Sequence, residues 1–122
     1  DDPQLLQPDL AVLDGVRRAL RPGGRFAFSA FSAYFQVANL EERDRFDAAS
    51  GVNHERTEIR SEVGGSTEAD LWTTCYTPRE LRLLVERAGL EVTQIHSADT
   101  GTYRPLDPSI TTPEFLVLGC RP

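Results

Sequence analysis

RRALRPGGRFAFSAF, from Arg17 to Phe31, is the stretch whose reading decides the fold. Arg17, Arg18 and Arg21 suit the last turn of a helix, where cations complement the helix dipole. Pro22 biases Arg21 away from helical dihedrals, and Gly23 or Gly24 can take a positive-φ turn. Arg25 to Ala30 then reads as a compact aromatic strand, with Phe26 and Phe28 on one face by the two-residue period. A helix that stops this abruptly and hands over to a strand is half of a crossover unit of an α/β fold.

Working outward, Leu6, Leu10, Leu13 and Leu20 share one helical face over residues 5–20, with Val16 beside it. That spacing lays one apolar stripe on a sheet, and Pro8 with Asp9 suits the first turn. On the other side, Phe31 to Phe35 leaves the strand's carboxyl end for a short helix through Val37 and Leu40. Ligands of open α/β sheets sit just beyond the carboxyl ends of strands, so Phe31, Ser32 and Tyr34 are the first candidates to line a site. The alternative is that aromatics crowded here simply seal a core edge.

Residues 41–51 are polar, with Phe46 expected at the surface. Val52–Arg60, a Gly64-Gly65 turn region and Glu68–Tyr76 read as a β-hairpin, with Leu71 and Trp72 on opposite faces of its second arm. Its polarity suits an add-on covering one side of a domain. Thr77-Pro78-Arg79-Glu80 is a capping box with proline at the first helical position. Leu81, Leu84, Val85 and Ala88 form the buried stripe of that helix, and Gly89 closes it with Leu90 packed back. Glu91–Ser97 reads as a strand, and Ala98–Glu114 as a proline-rich loop carrying Tyr103 and Arg104. The continuous apolar run Phe115–Cys120 suits a strand buried on both faces.

Composition bounds the function. At 122 residues the chain is one domain or a piece of one. Its opening at Asp1-Asp2-Pro3 and its lack of methionine suggest a fragment. No apolar run is long enough to cross a bilayer and no charged-then-apolar leader opens the chain, so a cytoplasmic place is expected. Residues 41–70 hold nine acids against four arginines. That balance argues against a nucleic-acid groove and tolerates a neutral or cationic small molecule. Cys75 and Cys120 read as reduced thiols rather than a bridge. His96 alternates with Val92 and reads as a half-buried structural histidine. His54, in the polar arm, is either a base toward a substrate or a solvent-facing residue. No metal-ligand spacing and no Ser-His-Asp elbow motif is present, so no catalytic residue is named.

Three segments carry a resemblance. LDGVRRALRPGGRFAFSAF (13–31) resembles the helix, Pro-Gly-Gly corner and fifth strand of class I S-adenosylmethionine-dependent methyltransferases. YTPRELRLLVERAGLEVTQIHS (76–97) resembles their last helix and sixth strand, and FLVLGCRP (115–122) their antiparallel seventh strand. The resemblance implies an α/β fold: a partial Rossmann-like methyltransferase sheet of the fifth to seventh strands, two helices and an inserted β-hairpin. The chain would be a single partial domain over 1–122, the C-terminal, substrate-side half, with 41–76 as an inserted lid.

The implied function is methyl transfer to a small-molecule acceptor, with S-adenosyl-L-methionine as cofactor. Phe31, Ser32, Tyr34 and Tyr103 are the candidate acceptor-binding residues. Phe35 and Trp72 would suit the same pocket, or a core. The family's glycine-rich loop and ribose-binding acid have no counterpart here, so no cofactor-binding residue carries over and the isolated chain is expected to be inactive. The seventh strand would lie between the fifth and sixth. The outer edge of residues 25–30 would be left for an absent N-terminal segment or for a second copy in a homodimer. Neither nucleic acid nor membrane is expected as a partner. The alternative is a non-catalytic module that keeps this half-fold as an interaction or dimerisation surface.

Overall fold

The Pro-Gly-Gly corner is clamped by the far end of the chain. The Gly23 N–H donates to the Arg121 carbonyl at 2.7 Å, and the Arg121 N–H donates to the Gly24 carbonyl at 2.8 Å. Gly23, at φ +83°, is the residue that takes the left-handed turn. The Arg121 guanidinium donates to the carbonyls of Arg17 and Leu20, at the end of the helix where carbonyls lack i+4 partners. The structure, a computed structural model, describes residues 3–99 and 101–122. Asp1 and Asp2 lie outside the described residues, as do the side chains of residues 3–7, 102 and 103.

Helix α1 spans Pro3–Ala19, so Pro8 sits inside it rather than in its first turn. The hydrogen bond that Pro8 forfeits falls in the second turn, near an end where few bonds are lost. From the corner the chain runs into β1 (Arg25–Ser32), then the short helix α2 (Ala33–Ala38). Next come β2 (Asp44–Asp47), β3 (Val52–Arg60) and β4 (Ser66–Tyr76). Helix α3 (Pro78–Arg87), β5 (Glu91–Asp99), β6 (Thr102–Leu106) and β7 (Glu114–Cys120) complete the chain. The strands form one seven-stranded sheet in the order β2-β3-β4-β1-β7-β5-β6.

The last strand, β7, lies antiparallel between β1 and β5, as the resemblance implies for a seventh strand between the fifth and sixth. Two strands go beyond the expectation. The 41–51 stretch holds β2, which makes the inserted hairpin three-stranded and leaves Phe46 half-buried rather than exposed. The proline-rich loop holds β6, which adds an edge strand beside β5; an edge is where a strand tolerates Pro105. The hairpin also extends the main sheet edge-on instead of lying over one side of it.

Both long helices bury their stripes on one face of the sheet. Leu13 of α1 joins Leu81, Leu84 and Val85 of α3 over Ala30, Ile95, Phe115 and Val117, with Phe26 and Phe28 partly buried against them. Both α3 caps are as expected. The Thr77 hydroxyl accepts from the Glu80 N–H at 3.2 Å, and the Glu80 carboxylate accepts from the Thr77 N–H at 3.3 Å. At the other end Gly89 takes φ +82° and Leu90 packs back, buried. Gly119 is required by close approach: a Cβ there would lie 2.2 Å from the Glu91 carbonyl oxygen and 2.4 Å from the Phe26 ring.

The second face of the sheet is open. Ala27, Ser29 and Phe31 of β1 are exposed there, and Leu116 and Leu118 of β7 are half-buried, so β7 is buried on one face and not on both. In β5 the register against β7 shifts between Val92 and Gln94. That bulge carries the extra residue Thr93 and reverses the alternation. His96 therefore faces away from Val92, on the second face, where its Nε2 lies 3.0 Å from the Gln94 side-chain oxygen.

Candidate acceptor groove

β1 and β4 run parallel but meet only at Phe31↔Cys75 and Ser32↔Tyr76. Below that junction β4 diverges. Among the described residues, Arg25 to Ala30 has a strand partner on its β7 side alone. The wedge between β1 and β4 is roofed by α1 and forms a groove of about 560 Å³. At ~1.5 Å per helical residue and ~3.3 Å per strand residue, Asp9 of α1 comes level with the carboxyl end of β1. The groove mouth thus gathers Asp9 and Val12 from α1, Phe31 from β1, and Leu71, Trp72 and Tyr76 from β4. Trp72 is 66% exposed and Phe31 49%, so large apolar surface is held open at the place where an α/β sheet binds ligands.

The mouth is polar in one place. Burial first, and then the nearby Asp9 carboxylate, pushes the Tyr76 phenol above its ordinary range. Burial likewise raises the Glu80 carboxyl nearby, and the Asp9 charge adds to it. Cys75 beneath the junction is buried, and desolvation pushes its thiol up to about 11. It is therefore a neutral, inert thiol at neutral pH, and both cysteines are free.

The hairpin contributes a second cluster beside the groove. His54 stacks on Trp72 with ring centroids 3.9 Å apart, and its Nε2 lies 2.8 Å from an Asp70 carboxylate oxygen. Arg56 donates twice to Glu68, at 2.9 and 2.7 Å, a pairing that raises the guanidinium above its usual value. His54 is thus held between an aromatic face and a carboxylate instead of projecting freely into solvent. The stack covers one face of Trp72, a residue that also lines the groove. A cleft of about 640 Å³ lined by Asp14, Arg17, Arg87 and Arg121 sits at the other end of α1, beside the amino end of β1.

The four candidate acceptor-binding residues fall in different places. Phe31 lines the groove. Ser32 is 1% exposed and its hydroxyl accepts from the Phe35 N–H at 3.3 Å, which caps α2. Tyr34 and Phe35 stand on α2, away from the groove lining; Tyr34 is exposed and Phe35 half-buried. The Tyr103 side chain lies outside the described residues. Asp9, Leu71 and Tyr76 are groove residues that the sequence reading did not single out. Asp9 carried only the signal of a helix first turn, and Tyr76 only that of a residue before an N-cap. The one legible hint was Trp72.

Among the described residues the groove offers no glycine-rich cradle for a cofactor. No glycine lines the groove, and among the described residues no glycine-rich turn leads from the carboxyl end of a strand into a helix. Nor does any group of three or more His, Cys, Asp or Glu stand ready for a metal ion among the described residues.

Several solved structures share this architecture. The CcbJ methyltransferase from Streptomyces caelestis matches over 96% of this chain and 54% of its own, with TM-score 0.73 and 17% identity. An S-adenosylmethionine-dependent methyltransferase from Clostridium acetobutylicum matches over 92% and 50%, with TM-score 0.65 and 16% identity. The glycopeptide N-methyltransferase MtfA, in complex with S-adenosyl-L-homocysteine, matches over 93% and 47%, with TM-score 0.53 and 17% identity. No family model and no curated protein matches the sequence. The chain spans about half the length of the methyltransferases it resembles, and has the fold of that half.

Proposed function

We propose that this chain is the acceptor side of an S-adenosylmethionine-dependent methyltransferase that acts on a small molecule. The observation that carries the reading is the groove at the carboxyl end of β1, set in a fold shared with half of several such enzymes. Phe31, Leu71 and Trp72 would hold the apolar body of the acceptor and keep water from it. The Asp9–Tyr76 pair would orient a polar group. Transfer to a good nucleophile asks mainly for such positioning, and orientation alone supplies a large part of the rate. The methyl donor would be held by residues other than these, on a segment carrying a glycine-rich strand–turn–helix. That segment would add its strand along the free edge Arg25–Ala30, over the deeper part of the groove at Leu13, Val16 and Phe28, and leave the mouth for the acceptor. The inserted segment over 41–76, which extends the sheet edge-on, would form one wall of the acceptor site through Leu71 and Trp72.

The free edge of β1 also favours a second reading, in which a second copy pairs there and the chain serves association alone. Calorimetry with S-adenosylmethionine separates the two. The acceptor-side reading expects no binding to the 122-residue chain and clear binding to a longer polypeptide that contains it. Tight binding to the chain alone would overturn the absent cradle, and no binding to the longer polypeptide would overturn the enzyme.

A further inference from the structure

We infer that the groove mouth selects an organic cation with an apolar body, an amine-bearing acceptor rather than an acid or a phosphate. The inference rests on the acceptor-side reading and adds the chemical class of the acceptor. Its first support is charge. The groove lining holds one carboxylate, Asp9, and no Arg, Lys or His. Glu80 stands close enough to Asp9 for the two carboxyls to feel each other. An anionic acceptor would enter with no cation to meet it, whereas an ammonium would replace repulsion by an ion pair.

The second support is the aromatic surround. Trp72, Tyr76 and Phe31 line the same groove, and aromatic rings attract cations over their faces, tryptophan most strongly. The third support is the neighbourhood. Two arginines of the inserted segment are paired: Arg56 with Glu68 and Asp70, and Arg43 with Glu41 and Glu55. Neither is left to draw an anion toward the groove.

Trp72 is the single tryptophan of the chain, so its fluorescence reports on the mouth directly. Titrating the chain at pH 7 with phenethylamine, phenethyl alcohol and hydrocinnamate compares one apolar body carrying a cation, a neutral group and an anion. The expected order is amine tightest and carboxylate weakest, with the amine about tenfold ahead of the alcohol, the size of one charge-assisted hydrogen bond in a half-open site. Added salt should weaken the amine alone. Asp9→Asn, which keeps shape and removes charge, should bring amine and alcohol together. Equal affinities for the three probes, a tighter carboxylate, no saturable change with any of them, or an amine preference that survives Asp9→Asn would each overturn the inference. The wild-type probe series needs no variant to fold. No methyl donor enters the titration, so its failure leaves the methyltransferase reading to the calorimetry above.

Discussion

Single residues set the strictest tolerances in this fold. Gly119 admits no side chain, because the Glu91 carbonyl and the Phe26 ring already occupy the space of its Cβ. Gly119→Ala forces β5 and β7 apart or drives Phe26 from its stack on Phe28, and should cost at least ~2 kcal/mol in urea unfolding. Cys75 makes a pH-dependent prediction. Its thiol is raised by burial from 9.0 to about 11, so between those values the unfolded chain has lost a proton that the folded chain keeps. Stability from this group is complete below pH 9 and falls as pH rises toward about 11, and Cys75→Ala should flatten that slope in denaturant titrations. A thiol reagent at pH 8 should modify the half-buried Cys120 quickly and Cys75 only on unfolding. Asp9 and Tyr76 show where reading by residue runs out. Each is ordinary in its own segment, and only the folded groove brings the two into one lining.

Among elements, those with local chemical signatures were legible and those defined by long-range pairing were not. The Thr77–Glu80 box and Gly89 announce both ends of α3, and the corner at Pro22–Gly24 announces the end of α1. Thr77→Ala should lower stability by ~1 kcal/mol, and Arg121→Ala by a similar ~1 kcal/mol through the loss of two carbonyl caps on α1, both measurable as lowered Tm. The role of Arg121 could not be read, because its partners are a hundred residues away in sequence. β2 is four residues of alternating charge with one Phe, too short for a period to show, and is held by its pairing with β3. The bulge at Thr93 leaves no mark in the sequence, yet it decides which face His96 occupies. The His54–Trp72 stack depends on the register of β3 on β4, which the turn between them sets.

At the scale of the whole molecule, the sheet is layered by long helices on one face, and among the described residues Arg25–Ala30 of β1 has no strand partner on its β4 side. α1 and α3 share the first face, while Phe31, Leu116 and Leu118 on the second face remain exposed or half-buried. That asymmetry accords with a chain that covers about half of the structures it resembles. It also explains why fold was more legible than function: the helix–corner–strand unit is local, whereas the groove exists only because β4 leaves β1 after two residue pairs. In a β-strand, successive residues point their N–H groups to opposite edges, so alternate amides of β1 bond to β7 while the others face the groove. Residue-resolved hydrogen exchange along Arg25–Ala30 therefore tests the central proposal, that a further segment would continue this sheet along the free edge of β1. The account predicts alternating protection in the isolated chain, slow for amides facing β7 and fast for those facing the groove. All of them should become slow in a longer polypeptide that contains the chain. Uniform protection in the isolated monomer, or no gain in the longer polypeptide, would contradict it.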